Sequence, residues 1–437
     1  MNNFRGKYRL VLWGLLLIVI FFIGVGQVSL NKADGTADSL EQPVFRRSFP
    51  SLNWLRFSVG GKIRNLIYPL LVLWAAGCIW DRTLRPPRTA LTLPLLVFLS
   101  VAVMAYVFSP LRELSWAEGL RELLLGGGFC LAASVSLSSG RNRRAALVVL
   151  VIGAGLSALA GLYLFSRGVY FPETPRRIWL SFMHPNSSGS ALLLLIPPAV
   201  SLATARVPAR LRAASGLAAL LLSAAMILTF SRTAWISLLI ALAVLALYRR
   251  GRFYYLAALV LLASLLILGV NVGPQSYFKE RLKSFTAFTT DPNIEKRLIY
   301  WDGVRRMIAL RPVLGYGPGY RVFMASYEKD FQTVETDEQP IHAHNMYLSL
   351  GAAAGLAGAS AFLWLLAAAF YLLLSGERTR EDPFEQAVQR GMTAGLAGFL
   401  IGGLADNPFF SFRVMLIFWL FLALIVGRRA SPSSSER

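Results

Sequence analysis

The sequence predicts an all-α polytopic membrane protein of about twelve transmembrane helices, with one large loop between the ninth and the tenth. Three observations predict this fold class. Hydrophobic residues make up 55% of the 437 residues, charged residues make up only 15%, and apolar stretches of about 20 residues, the length that crosses a bilayer, recur along the chain. The two cysteines, Cys78 and Cys130, both lie in apolar stretches, which excludes a disulfide framework and a cysteine metal site.

The apolar windows define the spans in chain order. They cover residues 10–30, 64–80, 89–108, 119–139, 145–165, 186–205, 213–231, 233–248, 253–272, 345–374, 388–405 and 409–427. The first follows Arg5, Lys7 and Arg9, but it is too long for the apolar core of a signal peptide, so we expect a membrane helix. The chain therefore divides into spans one to nine (1–272), a long loop (273–342), spans ten to twelve (343–427) and a tail (428–437).

The distribution of basic residues predicts the orientation of these spans. Seven polar segments lie on the same side of the membrane as the N-terminus in this topology. Each of them carries three basic residues, which is what the positive-inside rule predicts for cytoplasmic segments. We therefore expect both termini in the cytoplasm. The formal net charge is +21, and 23 of the 44 basic residues remain on the outer side, where the rule does not require them.

The long loop is predicted to contain an amphipathic helix. Asp291 is typical of a helix N-cap followed by proline at the first position, and apolar residues keep helical spacing as far as Leu310. The polar side of this helix carries Lys296, Arg297, Arg305 and Arg306. Residues 312–319 then form a glycine-rich turn. The glycines are better explained by a tight turn that needs their conformational freedom than by a loop that binds a phosphate.

All three histidines, His184, His342 and His344, fall on the outer side of this topology. A metal site is disfavoured, because two residues separated by one would point to different sides of a helix and no motif supplies a neighbouring carboxylate. The alternative is that these histidines lie at the membrane–water interface and have no chemical role. For His344, which stands where the long loop re-enters the membrane, a neutral imidazole among arginines would suit a general base near pH 7.

The outer arginines indicate a phosphate or pyrophosphate ligand, because guanidinium groups bind it bidentately and stay charged. Arg232 is the strongest candidate, since it lies in a turn of a few residues between two apolar spans, where a charge is costly. Its alternative is an arginine that snorkels to lipid headgroups. Further candidates on the outer side are Arg167, Arg177, Arg297, Arg305 and Arg413. A carrier is disfavoured because the spans hold almost no ionisable groups; Asp406 and Arg413, the nearest, lie at the outer edge.

Several motifs resemble those of the O-antigen ligase and polymerase superfamily of bacterial glycosyltransferases. Its ligase pattern, a histidine followed by Asn, Ser or Gln, nine residues, Gly, two residues and Gly, Thr or Tyr, is matched by His344, Asn345, Gly355 and Gly358. A second family motif is an arginine followed four residues later by leucine. It is matched imperfectly by Arg232, because the residue four positions later is Ile236. The remaining similarities are Arg297 with Trp301, Pro312, Gly315 and Gly317, and His184 with Pro185 and Asn186.

The resemblance implies a glycosyltransferase of the GT-C-like membrane type, with the long loop in the periplasm. It implies transfer of O-antigen from undecaprenyl pyrophosphate to lipid A-core in the bacterial inner membrane, inverting, with no metal or cofactor. His344 would be the base, and Arg232 and Arg297 would hold the pyrophosphate. Asn345, His342, His184, Arg305, Arg167, Arg177 and Arg413 would bind substrate.

The resemblance leaves alternatives open. An O-antigen polymerase would use the same donor, a related enzyme would glycosylate protein hydroxyls, and an exporter of lipid-linked glycans would make no glycosidic bond. We expect membrane lipids but no nucleic acid among the partners. Glu335, Asp337 and Glu338, just before His342, are weaker candidates for orienting that histidine.

Overall fold

The computed structural model describes residues 2–25, 59–171, 177–178, 180, 184–248, 292–331, 342–375 and 382–429, and this part of the chain is helical without strands. We number the longer helices in chain order. They are α1 Asn2–Val25, α2 Val59–Trp80, α3 Thr92–Val107, α4 Arg121–Ser136, α5 Gly140–Ser166, α6 Pro185–Ala203, α7 Ala209–Leu228, α8 Arg232–Ala246, α9 Pro292–Leu310, α10 Tyr320–Asp330, α11 Met346–Ser375, α12 Pro383–Gly402 and α13 Phe412–Arg429.

The helices agree in position with eleven of the predicted spans, and the span at 253–272 lies outside the described residues. Five of the described helices, α1, α5, α6, α7 and α11, are long and apolar enough to cross a membrane, and α2, α3 and α8 are shorter apolar helices. The chain is therefore a helical, multi-pass membrane protein. The number of twelve crossings and the location of the termini remain predictions.

Helix α6 forms the centre of the bundle. In the most apolar stretch of α6, 83% of the residues are buried inside the protein. The helix packs against α7, α8 and α12. The approach to α12 is close because α12 carries glycines on the facing side: a Cβ atom added at Gly391 would lie 2.3 Å from the Cα atom of Pro198. Small residues at such crossings allow membrane helices to pack by van der Waals contact.

An ion-pair network joins three helices at the N-terminal end of α12. The Glu385 carboxylate accepts a hydrogen bond from Arg143 of α5 at 3.0 Å and forms an ion pair with Arg428 of α13 at 3.1 Å, and all three side chains are buried. Gln389 also accepts from Arg428, at 3.0 Å. Since α12 has 20 residues, about 30 Å at 1.5 Å per residue, this network lies far from the residues that follow its C-terminal end.

The long loop packs onto α11 through a break in that helix. The apolar window at 345–374 predicts a continuous helix here, but Ala354 and Gly355 have non-helical backbone angles, and Gly355 has φ of +64°. The turn after α9 fills the break: the backbone N–H groups of Tyr316 and Gly317 donate to the carbonyls of Ala352 and Ala353 at 2.8 and 2.9 Å. These N–H groups serve the fold, which favours the interpretation of the turn as permissive backbone.

We expect the substitution Gly355→Ala to destabilise the protein by more than the ~1–3 kcal/mol that a residue with a Cβ atom costs in a backbone conformation essentially restricted to glycine, here φ of +64° and ψ of −169°. The added Cβ would lie 2.2 Å from the carbonyl oxygen of Val313, so the docked turn would have to move. Thermal unfolding of the purified protein in detergent measures the effect. Gly155→Ala in α5 is the matched control, because its Cβ would meet nothing within 4 Å; equal melting temperatures for the two variants would contradict the prediction.

Candidate active site

The chain makes a tight turn at residues 342–345, just before α11. The Nδ1 atom of His342 accepts the backbone N–H of His344 at 3.0 Å. His344 itself has φ of +47°, a region that few residues other than glycine adopt, and strain of this kind is concentrated at functional sites. The Asn345 side chain caps α11, accepting the N–H groups of Tyr347 and Leu348 at 2.9 and 3.0 Å.

Three hydrogen bonds fasten the start of α11 to the end of α12. The backbone N–H of Met346 donates to Gly403, the Asn345 amide to Leu404, and the Tyr347 hydroxyl to Leu400, at 2.7, 2.9 and 2.9 Å. These bonds hold residues that are about sixty positions apart in the chain. They bring Asp406, in the turn after α12, beside the histidine turn.

Asp406 and His344 form the centre of the site. The Oδ1 atom of Asp406 lies 3.9 Å from Nδ1 of His344, which is an ion-pair distance but longer than a hydrogen bond. Burial alone would raise the pKa of Asp406, but the two neighbouring histidines and the Asn407 backbone N–H, which donates to Oδ1 at 2.8 Å, lower that pKa well below its usual range. Asp406 is therefore an anion at neutral pH.

His184, the N-cap of α6, lies near this carboxylate. Its Nδ1 atom accepts the N–H of Asn186 at 3.2 Å, and it interacts electrostatically with both Asp406 and His344. Burial, followed by the nearby Arg177 guanidinium, lowers the pKa of His184 to about 4. Burial first, and then the nearby His344 and Arg297, lower the pKa of His342 to about 3. Both rings are thus neutral at pH 7.

Helix α9 covers the histidine turn. Trp301 donates from its indole nitrogen to the carbonyl of Ala343 at 2.8 Å, and the ring of Tyr300 stacks near His344 with centroids 6.4 Å apart. Arg297, one turn earlier, is half-buried and close enough to His342 to affect its charge. The predicted helix is therefore present, from Pro292 to Leu310, and it brings Arg297 to the site; its predicted cap Asp291 lies outside the described residues.

Arg232 begins α8, next to the start of α6. Phe230, two residues before it, has φ of +49°, so the turn between α7 and α8 is as strained as the histidine turn. Arg177 joins this turn to α6, because it donates to the carbonyl of Thr229 at 2.5 Å and to the side chain of Asn186 at 2.7 Å. Arg232 is half-buried, at the predicted position between two apolar helices.

Not all of the predicted residues join this cluster. Arg305 is 79% exposed and pairs with Asp302 at 2.8 Å, and Arg167 is an exposed residue at the end of α5. Arg413 is buried in the first turn of α13. Asn345 and Arg177 are in the cluster, but their contacts above fasten helix ends, which shows a structural role for each.

The expectation that His342 and His344 would point to different sides of a helix is wrong. The turn is not helical, so His342 and His344 lie together with ring centroids 4.2 Å apart, and Asp406 supplies a carboxylate; one ligand atom from each of the three lies within 4.8 Å of the others. The group nevertheless does not fit a metal well. Nδ1 of His342 already accepts a backbone N–H, so the neutral ring carries its hydrogen on Nε2 and offers no lone pair there.

A cleft opens beside the histidine turn, between α4, α10 and α11. Its empty volume, including the part open to solvent, is ≈ 840 Å³. Aromatic side chains form much of the lining, together with a few polar groups. The lining includes Glu122, Tyr316, Phe323, His342, Asn407 and Phe409. Glu122 is paired with Arg64 of α2, whose guanidinium lies over the ring of Phe412 at 5.2 Å.

Sequence reasoning missed Asp406 as a site residue. The acidic candidates before His342, at positions 335, 337 and 338, lie outside the described residues, whereas the observed carboxylate comes from a turn far along the chain. The sequence did contain a signal for Asp406. It is an ionisable residue in the short turn 406–408 between two apolar spans, on the same predicted side of the membrane as the histidines.

Comparison with known families identifies part of the chain. Residues 217–363 match the family model described as O-antigen ligase. No curated protein matches the chain. The matched segment contains Arg232, Arg297 and His344, whereas His184 and Asp406 lie outside it.

Proposed function

We propose, on the premise that the chain is an O-antigen ligase-family member through residues 217–363, that it is the ligase of lipopolysaccharide synthesis. Family membership gives a glycosyltransferase of the ligase or polymerase type that acts on lipid-linked glycans. The proposal is more specific: O-antigen is transferred from undecaprenyl pyrophosphate to a hydroxyl of lipid A-core. The observation that carries it is the His344 ring, fixed in a strained turn and facing the Asp406 carboxylate.

The proposed chemistry is a single displacement at the anomeric carbon of the donor sugar. An acceptor hydroxyl oxygen forms the new bond to that carbon, the bond from the carbon to the pyrophosphate oxygen breaks, and the configuration inverts. The hydroxyl proton passes to His344, and undecaprenyl pyrophosphate leaves with the bonding electrons. If the N–H of His344 faces Asp406 through Nδ1, its Nε2 atom holds the lone pair that accepts this proton.

The arginines would stabilise the leaving pyrophosphate. Arg232 and Arg297 belong to elements that start beside or cover the histidine cluster, and a guanidinium group is a charged donor that binds phosphate oxygens bidentately. Such fixed donors act on charge that develops in the transition state, the task that a divalent cation performs in many glycosyltransferases. We propose that this protein needs no metal for transfer.

The ligase is favoured over the polymerase by the histidine motif, since His344 and Asn345 stand at the family spacing from Gly355 and Gly358. Purified protein would be incubated with O-antigen on undecaprenyl pyrophosphate and either lipid A-core or a second lipid-linked glycan, and the products separated by gel. We expect glycan on lipid A-core that forms equally well after exhaustive chelation. Extension of the lipid-linked glycan alone would indicate the polymerase.

The same assay separates the remaining alternatives. Loss of transfer on chelation, restored by zinc, would contradict the proposed metal independence. Movement of lipid-linked glycan across vesicle membranes without formation of a glycosidic bond would indicate an exporter.

A further inference from the structure

The end of α9 and the turn after it carry exposed apolar side chains. Leu310 is 70% exposed and Val313 is 66% exposed, and Arg311, which stands between them in the chain, is also exposed. A single exposed apolar side chain is ordinary, whereas neighbouring ones mark a surface that contacts a partner or a membrane. We therefore expect something other than water to cover this end of the long loop.

Hydrogen bonds place these side chains beside two apolar helices, α3 and α11. Arg311 donates from Nη1 to the carbonyl of Phe108, the residue after α3, at 3.3 Å. The N–H of Leu356, in α11, donates to the carbonyl of Pro312 at 2.7 Å. Phe108 and Leu356 are themselves exposed. The loop-end patch is the group of four exposed apolar residues that results, Phe108, Leu310, Val313 and Leu356.

Exposed apolar faces of both helices lead to the loop-end patch. On each helix the exposed large apolar side chains recur at intervals of three, four or seven residues, which is the spacing of one helix face. In α3 they are Leu93, Leu96, Val103, Met104 and Val107, and in α11 after its break they are Leu356, Leu363, Trp364, Tyr371 and Leu374. Such a face on a helix of a membrane protein contacts lipid. The loop-end patch therefore continues a lipid-facing surface.

The length of α11 places the loop-end patch at a membrane boundary. The part of α11 after the break, residues 356–375, is about 30 Å long at 1.5 Å per residue, which is the thickness of the hydrocarbon core. Glu377 and Arg378 follow this part in the sequence, so we assign its end to one boundary and Leu356 to the other. Near the end of α3, the rings of Tyr106 and Trp116 lie 6.0 Å apart, and such aromatic residues are enriched at membrane–water interfaces.

We propose that the loop-end patch is inserted in the membrane boundary, with its apolar side chains among lipid acyl chains and Arg311 at the depth of the lipid phosphates. An arginine suits this position because its stem packs on apolar surface while its charged head reaches phosphate oxygens. A bilayer is favoured over a protein partner because the patch continues the lipid-facing sides of two helices.

This anchor does not depend on the proposed function, and it adds a role for the long loop. Helix α9 holds the histidine turn through the bond from Trp301 to Ala343 at 2.8 Å. Its other end would be held by lipid, through Leu310 and Val313. The anchor would thus fix the histidine turn at one depth relative to the membrane, in which any lipid-linked substrate lies.

Nitroxide labels on single cysteines measure the lipid contact directly. Leu310→Cys and Val313→Cys would be made in protein whose Cys78 and Cys130 are replaced by alanine, then labelled and reconstituted in vesicles of phosphatidylethanolamine and phosphatidylglycerol. Collisions of each label with oxygen, which concentrates in lipid, are compared with collisions with a water-soluble nickel chelate. A label at position 363 is the matched control for lipid, and one at position 305, in α9 and 79% exposed, is the control for water.

We expect the labels at positions 310 and 313 to lose access to the nickel chelate and to keep access to oxygen, as at position 363, whereas the label at position 305 keeps access to the chelate. Both side chains are exposed, so these variants should melt like the unlabelled protein. Access to the chelate equal to that at position 305 would overturn the proposal. Exclusion of both reagents would also overturn it, because protein rather than lipid would then cover the loop-end patch.

Discussion

The substitution His344→Asn is expected to reduce glycan transfer by about 10²–10⁴-fold, the usual contribution of a positioned general base. Asparagine is the suitable replacement because it adopts positive φ more readily than most residues, and the native φ is +47°. The turn should therefore persist, together with the hydrogen bonds that Met346 donates to Gly403 and Asn345 donates to Leu404. Turnover of purified protein with lipid-linked O-antigen and lipid A-core measures the loss, and near-wild-type turnover would remove His344 from the mechanism.

The pH dependence of turnover provides a check on the buried ionisable groups of the site. Between pH 5 and 8, His342 and His184 stay neutral, since their pKa values are lowered to about 3 and about 4, and Asp406 stays ionised because its pKa is also lowered. We therefore expect these three groups to contribute no change in turnover within this range. A step in the wild-type pH profile that disappears in Asp406→Asn would contradict the lowered pKa of Asp406.

Most of the fold could be predicted because a bilayer imposes a simple length and composition on each helix. The helix bounds differ from the predicted windows by several residues at some ends, as at α12, where Asp382 caps the helix by accepting the N–H of Phe384 at 3.0 Å. The break at Gly355 could not be predicted in this way. It exists because a distant turn donates hydrogen bonds to the exposed carbonyls, which is tertiary information that local apolar spacing does not contain.

The candidate site was predicted in its residue types better than in its geometry. Histidines and arginines of the predicted outer side were recognisable from their position relative to apolar stretches. The pairing of His344 with Asp406 was not, because it depends on bonds that join the start of α11 to the end of α12. The tautomers of His342 and His184 depend in turn on backbone donors, so they follow only once the turns are known.

The substitution Asp406→Asn is expected to reduce turnover on the order of 10²-fold, with little change in KM for either substrate. The amide keeps the size of the carboxylate and can still accept the Asn407 N–H, but it removes the negative charge that faces His344 at 3.9 Å. That charge stabilises the imidazolium which forms as the hydroxyl proton is transferred, and it selects the ring tautomer. Asp382→Asn is the matched control, because Asp382 accepts a backbone N–H in the same way at the other end of α12 and should transfer normally.

The double variant His344→Asn/Asp406→Asn determines whether the two residues act together. If Asp406 works only through the imidazole, its substitution should cost nothing further once His344 is absent, and the double variant should match His344→Asn alone. Multiplicative losses would instead indicate that Asp406 contacts the substrate or maintains the fold independently. Because Asp406 is buried and belongs to the turn fastened to α11, melting temperatures of all three variants accompany the rates, and a lower value for Asp406→Asn alone would assign its effect to folding.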